Sequence, residues 1–63
     1  MNFELKLAIL RQYPSQTDCA EDLGISESLL SKIVRERREP TSELKEALSA
    51  KLGVPSEKLW PQG

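Results

Sequence analysis

The sequence predicts an all-α protein, a compact bundle of five short helices. Apolar residues recur at helical spacing in successive segments, and no stretch holds the period-two alternation of a half-buried strand. Side chains suited to capping helix N-termini, and glycines suited to ending helices, punctuate the chain between those segments. The 63 residues read as a single domain over 1–63, in which a chain this short buries only about 60% of its unfolded surface. With 38% hydrophobic and 30% charged residues, the composition is that of a packed domain and not of a disordered tail.

The first helix is expected from about Asn2 to Gln12. Phe3, Leu7 and Leu10 follow helical spacing there, and Leu5 and Ile9 widen the stripe. Tyr13-Pro14 ends it, because the residue before a proline is pushed out of the helical region. Ser15 stands three residues before Asp18, a spacing like that of a capping box with Asp in place of Glu or Gln, and opens a second helix. That helix buries Cys19, Ala20 and Leu23. Gly24 follows at the point where a helix end favours a left-handed residue, a conformation that glycine takes without steric cost. Ser26 is placed to cap a third helix, so only Gly24-Ile25-Ser26 separate the two, the short turn of a helix-turn-helix. After Pro40, Thr41 or Ser42 caps a fourth helix whose inner face is Leu44, Ala47, Leu48 and Leu52, with Gly53 as its stop. Pro55 to Trp60 reads as a last short helical turn that Pro61 keeps from continuing. Trp60 closes the core beside Leu59, or else serves a dimer contact.

The third helix raises the functional question. At about 100° per residue, Leu30, Ile33 and Val34 share one side, while Ser28, Ser31, Lys32 and Arg35 lie opposite, with Leu29 at the boundary. Two small hydroxyl residues beside two long cations suit a helix lying in a DNA major groove, since small side chains permit close approach and cations reach base edges or phosphates. The same wheel puts Arg37 in the middle of the buried side, so the helix must end or turn near Glu36. Arg37 and Arg38 then fall in the following loop. Residues 31 to 38 hold four cations against Glu36 alone, a local charge of +3 within a chain of net charge −1. With a Debye length of only about 8 Å at physiological salt, the local charge is what a ligand feels. A basic run by itself can equally be a solvated helix end; its position directly after a Gly-Ile-Ser turn favours DNA.

Other chemistry finds little support. The chain has no histidine and one cysteine, so an internal disulfide is ruled out, a structural zinc site lacks its usual ligands, and no Ser-His or Cys-His pair can form. Cys19 reads as a small buried hydrophobe. Asp18, Glu21 and Asp22 read as a solvated acidic face. No catalytic residue, metal or cofactor is expected. The longest uncharged apolar run, Leu7-Ala8-Ile9-Leu10, falls far short of the roughly 18 residues of a membrane span, and no signal-peptide pattern precedes it, so the expectation is a cytoplasmic protein with no membrane partner.

From Gln16 to Pro40, QTDCAEDLGISESLLSKIVRERREP resembles the helix-turn-helix of the phage Cro and lambda-repressor family, also called the xenobiotic-response-element type. The likeness lies in Gln16 opening the second helix, Ala20 at the crossing, Gly24 at the turn, and Leu30 and Ile33 beyond it. The following PTSELKEALSAKLGVPSEKLW looks like that family's fourth and fifth helices, so nearly the whole chain is covered, with the helix-turn-helix at about 16–36. The resemblance implies a third helix, about 27–36, that enters the major groove while the second lies across the backbone. It implies Glu27, Ser28 and Lys32 as base-facing residues, with Arg35 serving bases or phosphates; Ser31 joins the base-facing set from its place on the outward side of the wheel. Gln16 becomes a phosphate contact that also braces Glu27. Arg37, Arg38 and the amides near Thr41 become backbone contacts. Three positions depart from the family pattern. Glu36 stands where many relatives have glycine, so it is either a strained left-handed residue or part of a longer helix. Ile9 stands where many relatives have a basic residue. Glu27 is acidic, and either accepts from cytosine N4 or serves only the helix dipole.

These readings converge on a sequence-specific transcriptional regulator, a repressor of phage or bacterial type, that binds a two-fold-related double-stranded DNA operator as a homodimer. The alternative is a protein-interaction module, antitoxin-like or an adaptor, that retains the helix-turn-helix shape. The acidic second helix, the net charge of −1 and Glu27 favour that alternative.

Overall fold

Five helices follow one another as α1 (Phe3–Gln12), α2 (Gln16–Leu23), α3 (Glu27–Val34), α4 (Ser42–Leu52) and α5 (Ser56–Leu59), in a computed structural model that describes residues 1–61. No strand occurs among the described residues. The Cα radius of gyration, 10.2 Å, is close to the roughly 10.6 Å of a close-packed chain of this length.

Four helices start in the same way. The side-chain oxygens of Asn2, Ser15, Ser26 and Thr41 accept from the backbone N–H three residues on, at 3.1, 3.2, 3.1 and 3.1 Å. Each thereby satisfies one of the orphan donors of a helix N-terminus. Thr41, not Ser42, caps α4, and Asn2 stands outside α1 as its cap. At α2 the second arm of a capping box takes another form: the Ser15 hydroxyl donates to the Asp18 carboxylate at 2.7 Å.

The helix ends also repeat a design. Gly24 is left-handed, with φ 75°; its N–H donates to the Glu21 carbonyl and that of Ile25 to the Ala20 carbonyl. This is the paired 5→2 and 6→1 bonding of a Schellman end. Gly53, with φ 68°, ends α4.

Every helix contributes to one core: Leu5, Ala8 and Ile9 from α1, Cys19 and Ala20 from α2, Leu30, Ile33 and Val34 from α3, Leu48 and Leu52 from α4, and Leu59 from α5. Leu23, Leu44 and Trp60 pack against it partly buried. Cys19 is fully buried, and loss of hydration, with the Asp22 charge nearby, pushes its thiol above the ordinary value. Trp60 lies beside the core with the Lys45 ammonium 5.7 Å from its ring centre.

The face of α1 differs from the expectation. The stripe Phe3, Leu7 and Leu10 points to solvent, with 66%, 51% and 49% of each residue exposed. The opposite side, Leu5, Ala8 and Ile9, enters the core. On the wheel the two sets lie about 180° apart, so Leu5 and Ile9 do not widen the first stripe. Both faces are apolar at helical spacing. The buried face holds the small Ala8, which permits close helix approach. Ile9 is 1% exposed, so its position is a core position.

Asn2 joins three helix ends. Its side-chain oxygen caps α1, its amide donates to the Leu59 carbonyl at 2.7 Å, and its backbone N–H donates to the Val34 carbonyl at 2.7 Å. A second tie binds α1, α2 and α4. The Tyr13 hydroxyl donates to Asp22 at 2.5 Å, and Lys51 pairs with the same carboxylate oxygen at 3.2 Å.

Candidate nucleic-acid interface

Helix α3 begins where the α2 Schellman end and the Ser26 cap leave only three residues between α2 and α3. Leu30, Ile33 and Val34 anchor α3 in the core, and this turns Ser28, Lys32 and Arg35 outward, all three exposed. Ser31 is half-buried, on the same flank as Glu27. Leu29 sits partly buried at the boundary.

Glu27 lies in the first turn of α3, where a negative charge is favourable next to the unsatisfied amides. Gln16, at the start of α2, donates from Nε2 to Glu27 Oε2 at 3.1 Å. The brace expected between these residues is therefore present. It locks the first residue of α3 to the first residue of α2.

α3 ends at Val34, two residues before the expected limit at Glu36. Arg35 is its C-cap and Glu36 is left-handed, with φ 63°. The Glu36 N–H donates to the Ile33 carbonyl at 3.1 Å and the Arg37 N–H to the Lys32 carbonyl at 2.8 Å. This is the same Schellman end as at Gly24, built on a glutamate, so the strained alternative holds and the longer helix does not. The Glu36 carboxylate lies 3.2 Å from the Met1 amino group. That pairing offsets the one acid among the four cations.

Arg37 and Arg38 are exposed in the loop after the turn. Pro40 is buried, and Thr41, which caps α4, is exposed. Glu39 lies 3.7 Å from Lys45. The structure thus brings Ser28, Lys32, Arg35, Arg37 and Arg38 to successive positions along α3 and its exit, with Gln16 and Glu27 at the opposite end. Asp18, Glu21 and Asp22 are exposed on α2, and the two partners of Asp22, Tyr13 and Lys51, show that it also serves the fold.

Two helices joined by a left-handed glycine turn, the second exposing hydroxyls and cations and anchored by its other face, define a helix-turn-helix domain. A family model described as helix-turn-helix, of the Cro/C1 type, matches residues 5–59, and the chain belongs to that family. The family is one of DNA-binding, non-enzymatic domains. No curated protein and no solved structure matches the chain. No helix among the described residues is long and apolar enough to cross a membrane.

Proposed function

We propose that this chain is a single DNA-binding domain that acts as a sequence-specific transcriptional regulator, a repressor of phage or bacterial type working in the cytoplasm, and reads the major groove of an operator with α3. The observation that carries this reading is the outward face of α3, Ser28, Lys32 and Arg35, continued by Arg37 and Arg38 beyond a sharp turn. Ser28 allows the helix backbone close to the groove floor. Lys32 and Arg35 reach base edges, with guanine O6 and N7 as their natural acceptors. Glu27, held by Gln16, offers a free carboxylate oxygen to cytosine N4, and Ser31 lines the same flank.

The phosphate contacts fall outside the groove. Arg37, Arg38 and the free amides at the Thr41 cap of α4 meet one strand, and Gln16 at the start of α2 meets the other side of the groove. A homodimer sets two α3 helices in successive major grooves, about 34 Å apart, on a two-fold-related site.

Titration of a mixed-sequence duplex tests the electrostatic part of this reading. Two cations per protomer at phosphates, Arg37 and Arg38, give a log–log salt slope near −1.8, so affinity falls about tenfold between roughly 50 and 200 mM salt. The exposed acids of α2 favour the alternative of a protein-interaction module; binding to DNA that is absent or indifferent to salt decides for that alternative.

A further inference from the structure

We infer that the exposed apolar face of α1 is the seam through which two copies of this chain associate, with their α1 helices antiparallel. This rests on the dimeric reading proposed above and assigns it a surface. Phe3, Leu7 and Leu10 are spaced i, i+4, i+7 on one side of α1, and each is about half exposed or more. With Met1, 49% exposed, they present about 400 Å² of apolar surface, within the size range of the largest apolar patch on a soluble monomer, a patch that is often functional.

Charge says what the partner is. Glu4 and Arg11 lie on one flank of this face, both exposed, and neither forms an ion pair among the described residues. Seven residues along a helix separate them by about 10.5 Å, too far to pair within one chain. A two-fold axis midway between positions 7 and 8 brings Glu4 level with Arg11 of a second copy, and Arg11 level with its Glu4. The same axis interleaves the apolar side chains in the order Phe3, Leu10 of the second copy, Leu7, Leu7 of the second copy, Leu10, Phe3 of the second copy. One face thus complements itself in both shape and charge, as an isologous interface requires. Lys6, on the other flank, meets its own copy there, so the attraction rests on the apolar seam and the two Glu4–Arg11 pairs.

The apolar patch is about half of the roughly 800 Å² that each partner contributes to a standard interface, which makes the free dimer weak. The bonds from Met1 and Asn2 to Glu36 and Val34 hold the N-terminal end of the seam against the exit of α3. Association through α1 therefore fixes the separation of the two α3 helices.

Sedimentation equilibrium of the full chain tests this, with circular dichroism as the check on folding. The wild type dimerises reversibly, and Leu7→Glu weakens dimerisation at least about tenfold without loss of helix. Glu4→Arg and Arg11→Glu each weaken it, and the double variant restores it. Each substitution opposes the α1 dipole, so thermal stability falls further in the double variant while association recovers, an outcome that damage to the fold does not produce. A wild type that stays monomeric at the highest attainable concentration overturns the inference, as does dimerisation that Leu7→Glu leaves unchanged or a charge swap that fails to restore it. Binding of the Leu7→Glu variant to a duplex carrying one half-site reads the DNA assignment separately. Absence of that binding in both the variant and the wild type, with wild-type dimerisation intact, removes the DNA reading and leaves the seam.

Discussion

Exchanging Glu36 for glycine and, separately, for alanine turns a backbone observation into a difference of known sign. The left-handed conformation at Glu36, φ 63°, costs an ordinary residue about 1–2 kcal/mol. Glycine avoids that cost but has about 0.5–1 kcal/mol more chain entropy to lose on folding. Both variants lose the 3.2 Å contact with the Met1 amino group, so that loss cancels in the comparison. The glycine variant is then the more stable by up to about 1.5 kcal/mol, a separation of roughly 4–8 °C per kcal/mol in a domain of this size. Thermal unfolding followed by circular dichroism measures it. A right-handed residue at 36, continuing α3, inverts the order, because glycine in a helix is less stable than alanine by about 1 kcal/mol. An alanine variant that melts above the glycine variant therefore refutes the Schellman end and, with it, the placement of Arg37 and Arg38 outside the helix.

Asn2→Ala removes the α1 cap, about 1 kcal/mol, and leaves the Leu59 carbonyl unpaired, about another 1 kcal/mol; a fall of roughly 10 °C in Tm is expected, and Asn2→Asp, which keeps the cap but has no donor for Leu59, recovers about half of it. The hydrogen bond to Asp22, with burial and the Asp22 charge adding to it, raises the Tyr13 hydroxyl to about 12. Its contribution is complete below the ordinary value near 10 and is lost as pH rises from there to about 12, so Tyr13→Phe loses this alkaline sensitivity in a pH-dependent unfolding series. The Tyr13 bond, then Lys51, hold Asp22 below the ordinary carboxylate value; that contribution is present above the ordinary value and is lost as pH falls through the lowered one. Ala20→Leu, at a position 1% exposed, overpacks the contact between α2 and its neighbours and destabilises by about 1–3 kcal/mol in denaturant titration. Lys32→Ala and Arg35→Ala leave Tm unchanged and weaken DNA binding; a phosphate role lowers the salt slope by about 1 for each, whereas a base role relaxes specificity at one position. Operator affinity retained in both variants removes α3 from the groove.

What the sequence made legible was local. Ser15, Ser26 and Gly24 act within three or four residues of the groups they satisfy, so their spacing alone places α2, the turn and α3. Leu30, Ile33 and Val34 were legible for another reason: the opposite side of α3 is polar, and only one face can be buried. On α1 that asymmetry is missing, because Phe3, Leu7 and Leu10 on one side and Leu5, Ala8 and Ile9 on the other are both apolar. The choice between them is made by packing against the other helices. Asn2 carried a signal for its cap role, as asparagine directly before an apolar helical segment, but its bond to Leu59, 57 residues away, has no local trace. The candidate interface divides in the same way. The outward set on α3 follows from the wheel, and the Gln16–Glu27 brace came from the family resemblance. The helix end at Val34 required knowing that Glu36 adopts the conformation that glycine takes at Gly24.

Selection by the purified protein from a random duplex library, with the enriched site then titrated at two salt concentrations, tests the central claim most directly. The account predicts an enriched palindrome with half-sites about one helical turn apart and an affinity that drops as salt rises. A library that shows no enrichment, with binding that is absent or unchanged by salt, contradicts it.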